Sequence, residues 1–462
     1  MCFKGRHWRS DLVNFLRCRN LTTEFINHYN TGKEKLKGLL EKGSRYVAIT
    51  TTFYVTDEPI IDIISFVRSI DKTIKIIVGG PRVYEICTSY PDSKRNMFLK
   101  KIGADYYIVD SQGESALCDL LTSVKSGGTP DISNIKNIIM INDDEVITSC
   151  QEQEANSLDE NVIDWDLFER DEFGKVVYMR TARGCRYSCA FCTYPKFAGK
   201  HEYASLSSIE KEMNQLKDKG VEYIIFVDDS FNVPLERFKT ICEMMIRNHY
   251  GFKWLSFFRC VKMDESVVSL MKRSGCMGVY LGVESLNQLV LKKMRKVDID
   301  YITCVNLFKK YDILTLGSFI VGFPSETEET IKETIHIFNE HPTDFYNPQL
   351  YYHSKLAPIN RHAVELKIKG NGYAWSHYSM NWEDAVFWKN YMITNVEKSV
   401  LLPLYSSGIW ALPYLMEQGI SKDFFIEFAS FISNIIRGNV NGTFSSREQI
   451  LQDFKKLKYI PI

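Results

Sequence analysis

This chain has no charge of one sign to spare: Lys plus Arg number 57, and so do Asp plus Glu. Without a basic excess it offers nothing to a phosphate backbone, and nucleic acid is not indicated as a partner. Long apolar runs are missing as well. A stretch such as Ile313 to Val321 is too short to cross a bilayer and carries polar residues, so no membrane partner is expected. The opening Met-Cys-Phe-Lys-Gly-Arg has no apolar signal core and no lipidation signature; with cysteines at irregular spacing, the expected location is the reducing cytoplasm. Histidine is absent between His28 and His201, and cysteine is absent after Cys304.

What is present is concentrated in Arg183-Gly-Cys185-Arg-Tyr-Ser-Cys189-Ala-Phe-Cys192. A four-iron, four-sulfur cluster takes one thiolate per iron, so a CxxxCxxC loop seats three irons and leaves the fourth open. Structural zinc is the plainer reading of close cysteines, but such sites are usually closed by four ligands in two separated pairs, and no second CxxC occurs. Disulfide bonding suits a small secreted scaffold better than an intracellular chain of this length.

At 462 residues the chain is long enough for two or three domains. Tyr46 to Thr52, Ile74 to Val78 and Asp105 to Val109 read as strands. Pro59 to Ile70, the segment near Phe98 to Ile102, and Glu114 to Val124 read as helices between and after them. This alternation predicts a small doubly wound α/β domain over residues 1–125, with ligands expected at the strand ends near Thr50 to Thr52, Gly79-Gly80-Pro81 and Gly113-Glu114. Residues 126–170, rich in Gly, Ser, Asn and Asp, read as a linker with a strand or hairpin at Ile135 to Ile141.

Over residues 171–382 six strand candidates alternate with helical patterns: Val176 to Thr181, Tyr223 to Val227, Lys253 to Phe258, Gly278 to Val283, Thr315 to Val321 and Asp344 to Tyr351. Six such units predict a partial (β/α)6 barrel whose chemistry sits at the carboxyl ends of its strands. The cysteine loop follows the first of them. Residues 383–462 read as a helical C-terminal domain with no recognisable chemistry.

Further candidates lie at the other strand tips. Asp228 and Asp229 end the second strand, where carboxylates can accept hydrogen bonds from a desolvated ammonium group or cap the next helix. Arg259 ends the third as a carboxylate partner, with Cys260 beside it. Glu284 follows the fourth, although a lone Glu is more often a surface or ion-pair residue. Gly322 closes the fifth, where a glycine lets another group approach the backbone, and Ser325 with Glu328 reads as a capping box. The aromatic-rich Tyr351 to Trp382 reads first as a packed junction.

The cysteine loop with Phe191, the Asp-Asp strand, Gly-Val-Glu-Ser at 282–285 and Gly-Phe-Pro-Ser-Glu-Thr at 322–327 together resemble the radical S-adenosylmethionine superfamily, over about Val176 to Tyr352. The resemblance implies a cluster on Cys185, Cys189 and Cys192 whose open iron chelates S-adenosylmethionine. An electron from the cluster would cleave the sulfonium to a 5′-deoxyadenosyl radical that abstracts a hydrogen atom. It also implies cofactor contacts from Phe191, Asp228, Asp229, Arg259, Glu284 and Gly322, with the methionine amine on Asp228 and Asp229, the ribose hydroxyls or the amine on Glu284, and adenine against Gly322. A reductant such as flavodoxin or ferredoxin would be the partner.

Residues 46–52, 77–81 and 103–114 resemble the cobalamin-binding domain that precedes many enzymes of this branch, although Asp-x-His-x-x-Gly is absent and the segment before Tyr46 is short for a complete first βαβ unit. The expected substrate is a peptide or specialised metabolite. Methylation would need cobalamin. Epimerisation or rearrangement would not, and epimerisation would need a hydrogen donor, for which Cys260 is the candidate. The rival readings are a non-catalytic metal-site protein and a decayed homologue.

Overall fold

Three short β-rich runs in the first 110 residues build a parallel sheet: β1 (Tyr46–Thr50), β2 (Lys75–Gly79) and β3 (Tyr106–Ile108), paired in that order. The computed structural model describes residues 10–52, 54, 56–125, 130–142, 145–403 and 408–457; the Gly-containing segment 126–129 and the opening hexapeptide lie outside them. The chain divides into two compact units, one of residues 4–169 with 194–208, the other of 170–193 with the chain from 209 onward.

In the first unit, α1 (Ser10–Arg17) and α2 (Tyr29–Glu41) precede β1. Helix α3 (Glu58–Ile70) joins β1 to β2, α4 (Pro81–Ser89) and α5 (Asp92–Ile102) join β2 to β3, and α6 (Glu114–Lys125) follows β3. Ile60, Ile63, Ile64 and Val67 recur at helical spacing along α3 and are buried, the signature of a helix lying on a sheet. Alternation along β2 sends Ile76 and Val78 into a core with α2 to α5, and Ile77 into a second core with α1 and α6. Both faces are therefore covered, as expected.

One helix departs from the reading of the sequence, and the strand or hairpin expected near Ile135 to Ile141 is present and joins the sheet. Helix α4 was not foreseen: it opens on Pro81 after Gly80 at φ +103°, a start signal that its mixed composition obscures. The hairpin β4 (Ile138–Asn142) and β5 (Glu145–Thr148) pairs antiparallel with β3 and completes the sheet.

The second unit is a seven-stranded parallel sheet whose strands are neighbours in chain order: β6 (Val176–Met179), β7 (Tyr223–Phe226), β8 (Lys253–Phe258), β9 (Cys276–Glu284), β10 (Leu314–Val321), β11 (Phe345–Leu350) and β12 (Val400–Leu401). The six foreseen strands are all present. The seventh comes from a region read as helical, because two residues leave no periodicity to detect. Helices α7 (Leu206–Asp218), α8 (Leu235–Arg247), α9 (Glu265–Arg273), α10 (Gln288–Lys293), α11 (Tyr301–Lys310) and α12 (Glu328–Glu340) fill the connections.

Alternation again sorts the side chains. On β8, Trp254 and Phe258 meet Phe238 of α8 and Phe308 of α11. Leu255 and Phe257 face the other way, onto Ile409 and Trp410. Trp410 also stacks on Tyr280 with centroids 5.8 Å apart and planes 6° apart. The chain after β12 thus packs the sheet face opposite the helices, leaving the carboxyl strand ends to the chemistry-bearing loops.

Candidate cluster and cofactor site

The cysteine loop leaves β6 through Thr181 and Ala182, and Gly184 sits at φ +80°, a left-handed turn that a Cβ would strain. Two backbone bonds hold the loop within its unit: the Ala190 N–H donates to the Met294 carbonyl at 2.8 Å, and the Ile359 N–H donates to the Ala190 carbonyl at 3.0 Å. Cys189 is buried, Cys185 and Cys192 half-buried, and none of the three is in a disulfide. Burial pushes the Cys185 thiol up, opposed by the Tyr187 N–H donating to its sulfur; Asp229, Cys189 and Arg259 lie close enough to act on it electrostatically.

No group of three or more His, Cys, Asp or Glu side chains among the described residues converges to hold a metal ion. A mononuclear zinc site asks for such convergence. A cube asks for thiolates set wider apart, since each meets a different iron. Three cysteines on one strand-tip loop, with a peptide N–H already aimed at sulfur, fit the cluster.

The structure distributes the other candidates unequally. Asp229, half-buried, and Arg259 stand by the loop; the Arg259 guanidinium carbon lies 3.8 Å from the Tyr187 ring centroid, and its Nη2 donates to the Val297 carbonyl at 2.9 Å. Its Nε is buried with no partner. Phe191 meets Phe323 edge-on at 6.4 Å.

Asp228 is committed elsewhere. It is 2% exposed and accepts from the N–H groups of Thr181 at 2.7 Å and Ala182 at 3.0 Å and from the Thr181 hydroxyl. It fixes the entry to the cysteine loop instead of facing a cofactor amine. Cys260 is not brought to the loop either. It is wholly buried and hydrogen-bonded to Cys304 of α11, on the helix side of the sheet, because side chains alternate along the strand and Arg259 takes the other side.

Glu284 stands at φ +67° beside a register shift between β9 and β10, a bulge that re-aims its side chain. Its Oε1 accepts from Lys296 Nζ at 2.9 Å, both side chains buried. A Cβ on Gly282 would lie 2.8 Å from Glu284 Oε1 and 2.9 Å from Lys296 Nζ, so that glycine is the floor on which the pair rests. Lys296 was missed in the sequence because nothing local marks it: it follows α10 and reaches Glu284 only through the fold.

Gly322 differs from its expectation. At φ +97° it is a turn that glycine adopts readily, and the group crowding it is the protein's own: an added Cβ would fall 2.6 Å from the Trp375 ring and 2.7 Å from Ala385. The His377 Nε2–H donates to the Gly322 carbonyl at 2.9 Å. The capping box also moves, since Thr327 caps α12 and pairs with Thr330. Glu326 is thereby released from the helix. It is buried under the turn, accepting at one oxygen from the Gly322 N–H at 2.6 Å and the Phe323 N–H at 2.9 Å.

Burial raises the Glu326 carboxyl to about 8. The unfolded chain releases this proton near the ordinary carboxylate value, so between there and about 8 the folded state binds more protons. Stability is expected to fall as pH rises through that window and to level above it. Thermal melts of the native chain and of Glu326→Gln check this: the substitution should flatten the slope.

Residues 179–338 match the Radical SAM superfamily. The chain is 26% identical over 280 residues to an uncharacterized methyltransferase of Pyrococcus horikoshii, covering 58% of each. It is 23% identical over 371 residues to the anaerobic magnesium-protoporphyrin IX monomethyl ester cyclase of Cereibacter sphaeroides, covering 77% of this chain and 58% of that one. It spans under two thirds of the length of these curated relatives. Among solved structures it superposes on the radical S-adenosylmethionine methyltransferase TsrM of Kitasatospora setae with TM-score 0.61 at 18% identity, covering 77% of this chain and 72% of TsrM. On the cobalamin-dependent S-adenosylmethionine radical enzyme OxsB the TM-score is 0.63 at 16% identity, with 98% and 73% covered. At these identities the likeness shows the fold, an α/β unit followed by a partial barrel.

Proposed function

We propose that this chain, which carries a radical SAM domain at residues 179–338, is an enzyme that abstracts a hydrogen atom from a peptide or specialised metabolite. The observation that carries this is the loop Cys185 to Cys192 anchored at the first strand tip, with Asp229 and Arg259 against it. Bound there, a four-iron cluster and S-adenosylmethionine would supply a carbon-centred radical on one-electron reduction.

The chain's own residues bind and orient. Cys185, Cys189 and Cys192 would hold three irons. Asp229 would accept hydrogen bonds from the methionine amine. Glu284, held by Lys296, would offer its second carboxylate oxygen to the cofactor, and Arg259 presents a buried Nε–H with no internal partner. Asp228 and Glu326 work one step back: one fixes the loop entry, the other the turn behind Phe323. Phe191 and Phe323 put apolar rings beside the loop, which keeps water from a reactive carbon centre.

Incubating the anaerobically reconstituted, dithionite-reduced protein with S-adenosylmethionine tests the proposal. Formation of 5′-deoxyadenosine, read by mass spectrometry, is expected; its absence from protein that carries the cluster would reduce the chain to a non-catalytic homologue.

A further inference from the structure

Open α/β sheets take their ligands in the crevice beyond the carboxyl strand ends, where the strand order reverses. The first unit has no such reversal among the described residues. Strands β1, β2 and β3 lie in chain order, and the crossover helices α3, α4 and α5 share one core.

Among the described residues, the tips of β2 and β3 are also closed by the unit's own chain. After β2, the Thr51 hydroxyl donates to the Gly79 carbonyl at 2.9 Å and accepts from the Arg82 N–H at 3.1 Å. A Cβ on Gly80 would lie 2.9 Å from that hydroxyl, so the two tips are in contact. Arg82, which could otherwise reach a ligand, is paired to Asp57 at 2.8 Å and Glu85 at 3.0 Å.

After β3 the closure is fuller. The start of α6, where a helix would attract an anionic ligand group, is occupied by Glu154. Its two oxygens accept from the N–H groups of Ser115 at 3.0 Å and Ala116 at 2.9 Å. Asp110 accepts from the Glu154 N–H at 3.1 Å, Gln112 donates to the Glu154 carbonyl at 3.1 Å and accepts from the Asn156 N–H at 2.9 Å, and the Ser115 hydroxyl donates to Asn156 at 2.7 Å. Segment 154–156 is a strap laid over the tip of β3.

We infer that the first unit closes its own ligand edge and holds no cobalamin, so that the chemistry at the cysteine loop runs without a corrin. The inference narrows the proposed function, on which its second half rests: a methyl group carried on cobalt is removed from the reaction, and with the candidate donor Cys260 buried against Cys304, abstraction followed by rearrangement, the hydrogen returning from 5′-deoxyadenosine, remains.

The test uses the full chain, reconstituted anaerobically with iron and sulfide in the presence of excess hydroxocobalamin and then desalted. Cobalt and iron are counted in the same sample, and thermal melts are recorded with and without hydroxocobalamin. The expected result is no cobalt above that of an unrelated protein treated alike, and an unchanged melting temperature. Cobalt approaching one per chain, or a melting temperature that rises saturably with hydroxocobalamin, would overturn the inference. The iron count speaks separately to the cluster.

Discussion

Replacing any one of Cys185, Cys189 or Cys192 by alanine is expected to take cluster iron from four per chain to almost none and to cut 5′-deoxyadenosine formation by more than about a hundredfold, the upper end of what loss of a mere outer-shell partner does to a metal site. With one thiolate per iron, losing any corner leaves two irons without protein ligands. The other cysteines of the second unit are not placed to substitute. Cys242, Cys260, Cys276 and Cys304 are buried at 0 to 2% exposure, Cys260 bonded to Cys304 and Cys276 to the Gly278 carbonyl. Cys242→Ala, on α8, is the matching control. It removes a more deeply buried thiol and should leave iron content unchanged, so a loss of iron there would mean that general destabilisation explains the loop variants as well.

Lys296→Met carries the largest expected cost in stability. It leaves the Glu284 carboxylate buried and unpaired in a left-handed backbone turn, and breaking one side of a buried pair costs about 3 to 5 kcal/mol. Denaturant unfolding measures it. The double substitution Lys296→Met with Glu284→Leu should recover most of that stability, because an apolar pair needs no charge compensation. It should not recover 5′-deoxyadenosine formation, since the carboxylate offered to the cofactor is gone. Recovery of both would make the pair purely structural.

Legibility in the sequence followed how local each signal was. The cysteine spacing and the alternation of β-rich and amphipathic runs are local, and the six strands of the second unit lie within two residues of their expected bounds. Asp228 and Asp229 show where locality ends. Adjacent residues on a strand tip point to opposite sides, so of two candidates one faces the cysteine loop and the other faces Thr181. Which is which depends on register. The crowding of Gly322 comes from Trp375, more than fifty residues on, and Glu326 was hidden by a plausible but misplaced capping box at Ser325 and Glu328. Lys296 became visible only as the partner of Glu284. The strap at Glu154 was equally hidden, because a glutamate in a polar stretch carries no mark of the helix start it will occupy.

Electron paramagnetic resonance of the reduced, anaerobically reconstituted chain, before and after addition of S-adenosylmethionine, tests most directly that three thiolates hold a cluster with one open iron. A four-iron signal that changes when S-adenosylmethionine is added and vanishes in Cys189→Ala is expected. A chain that binds zinc in place of iron, or a four-iron signal indifferent to S-adenosylmethionine, would contradict it.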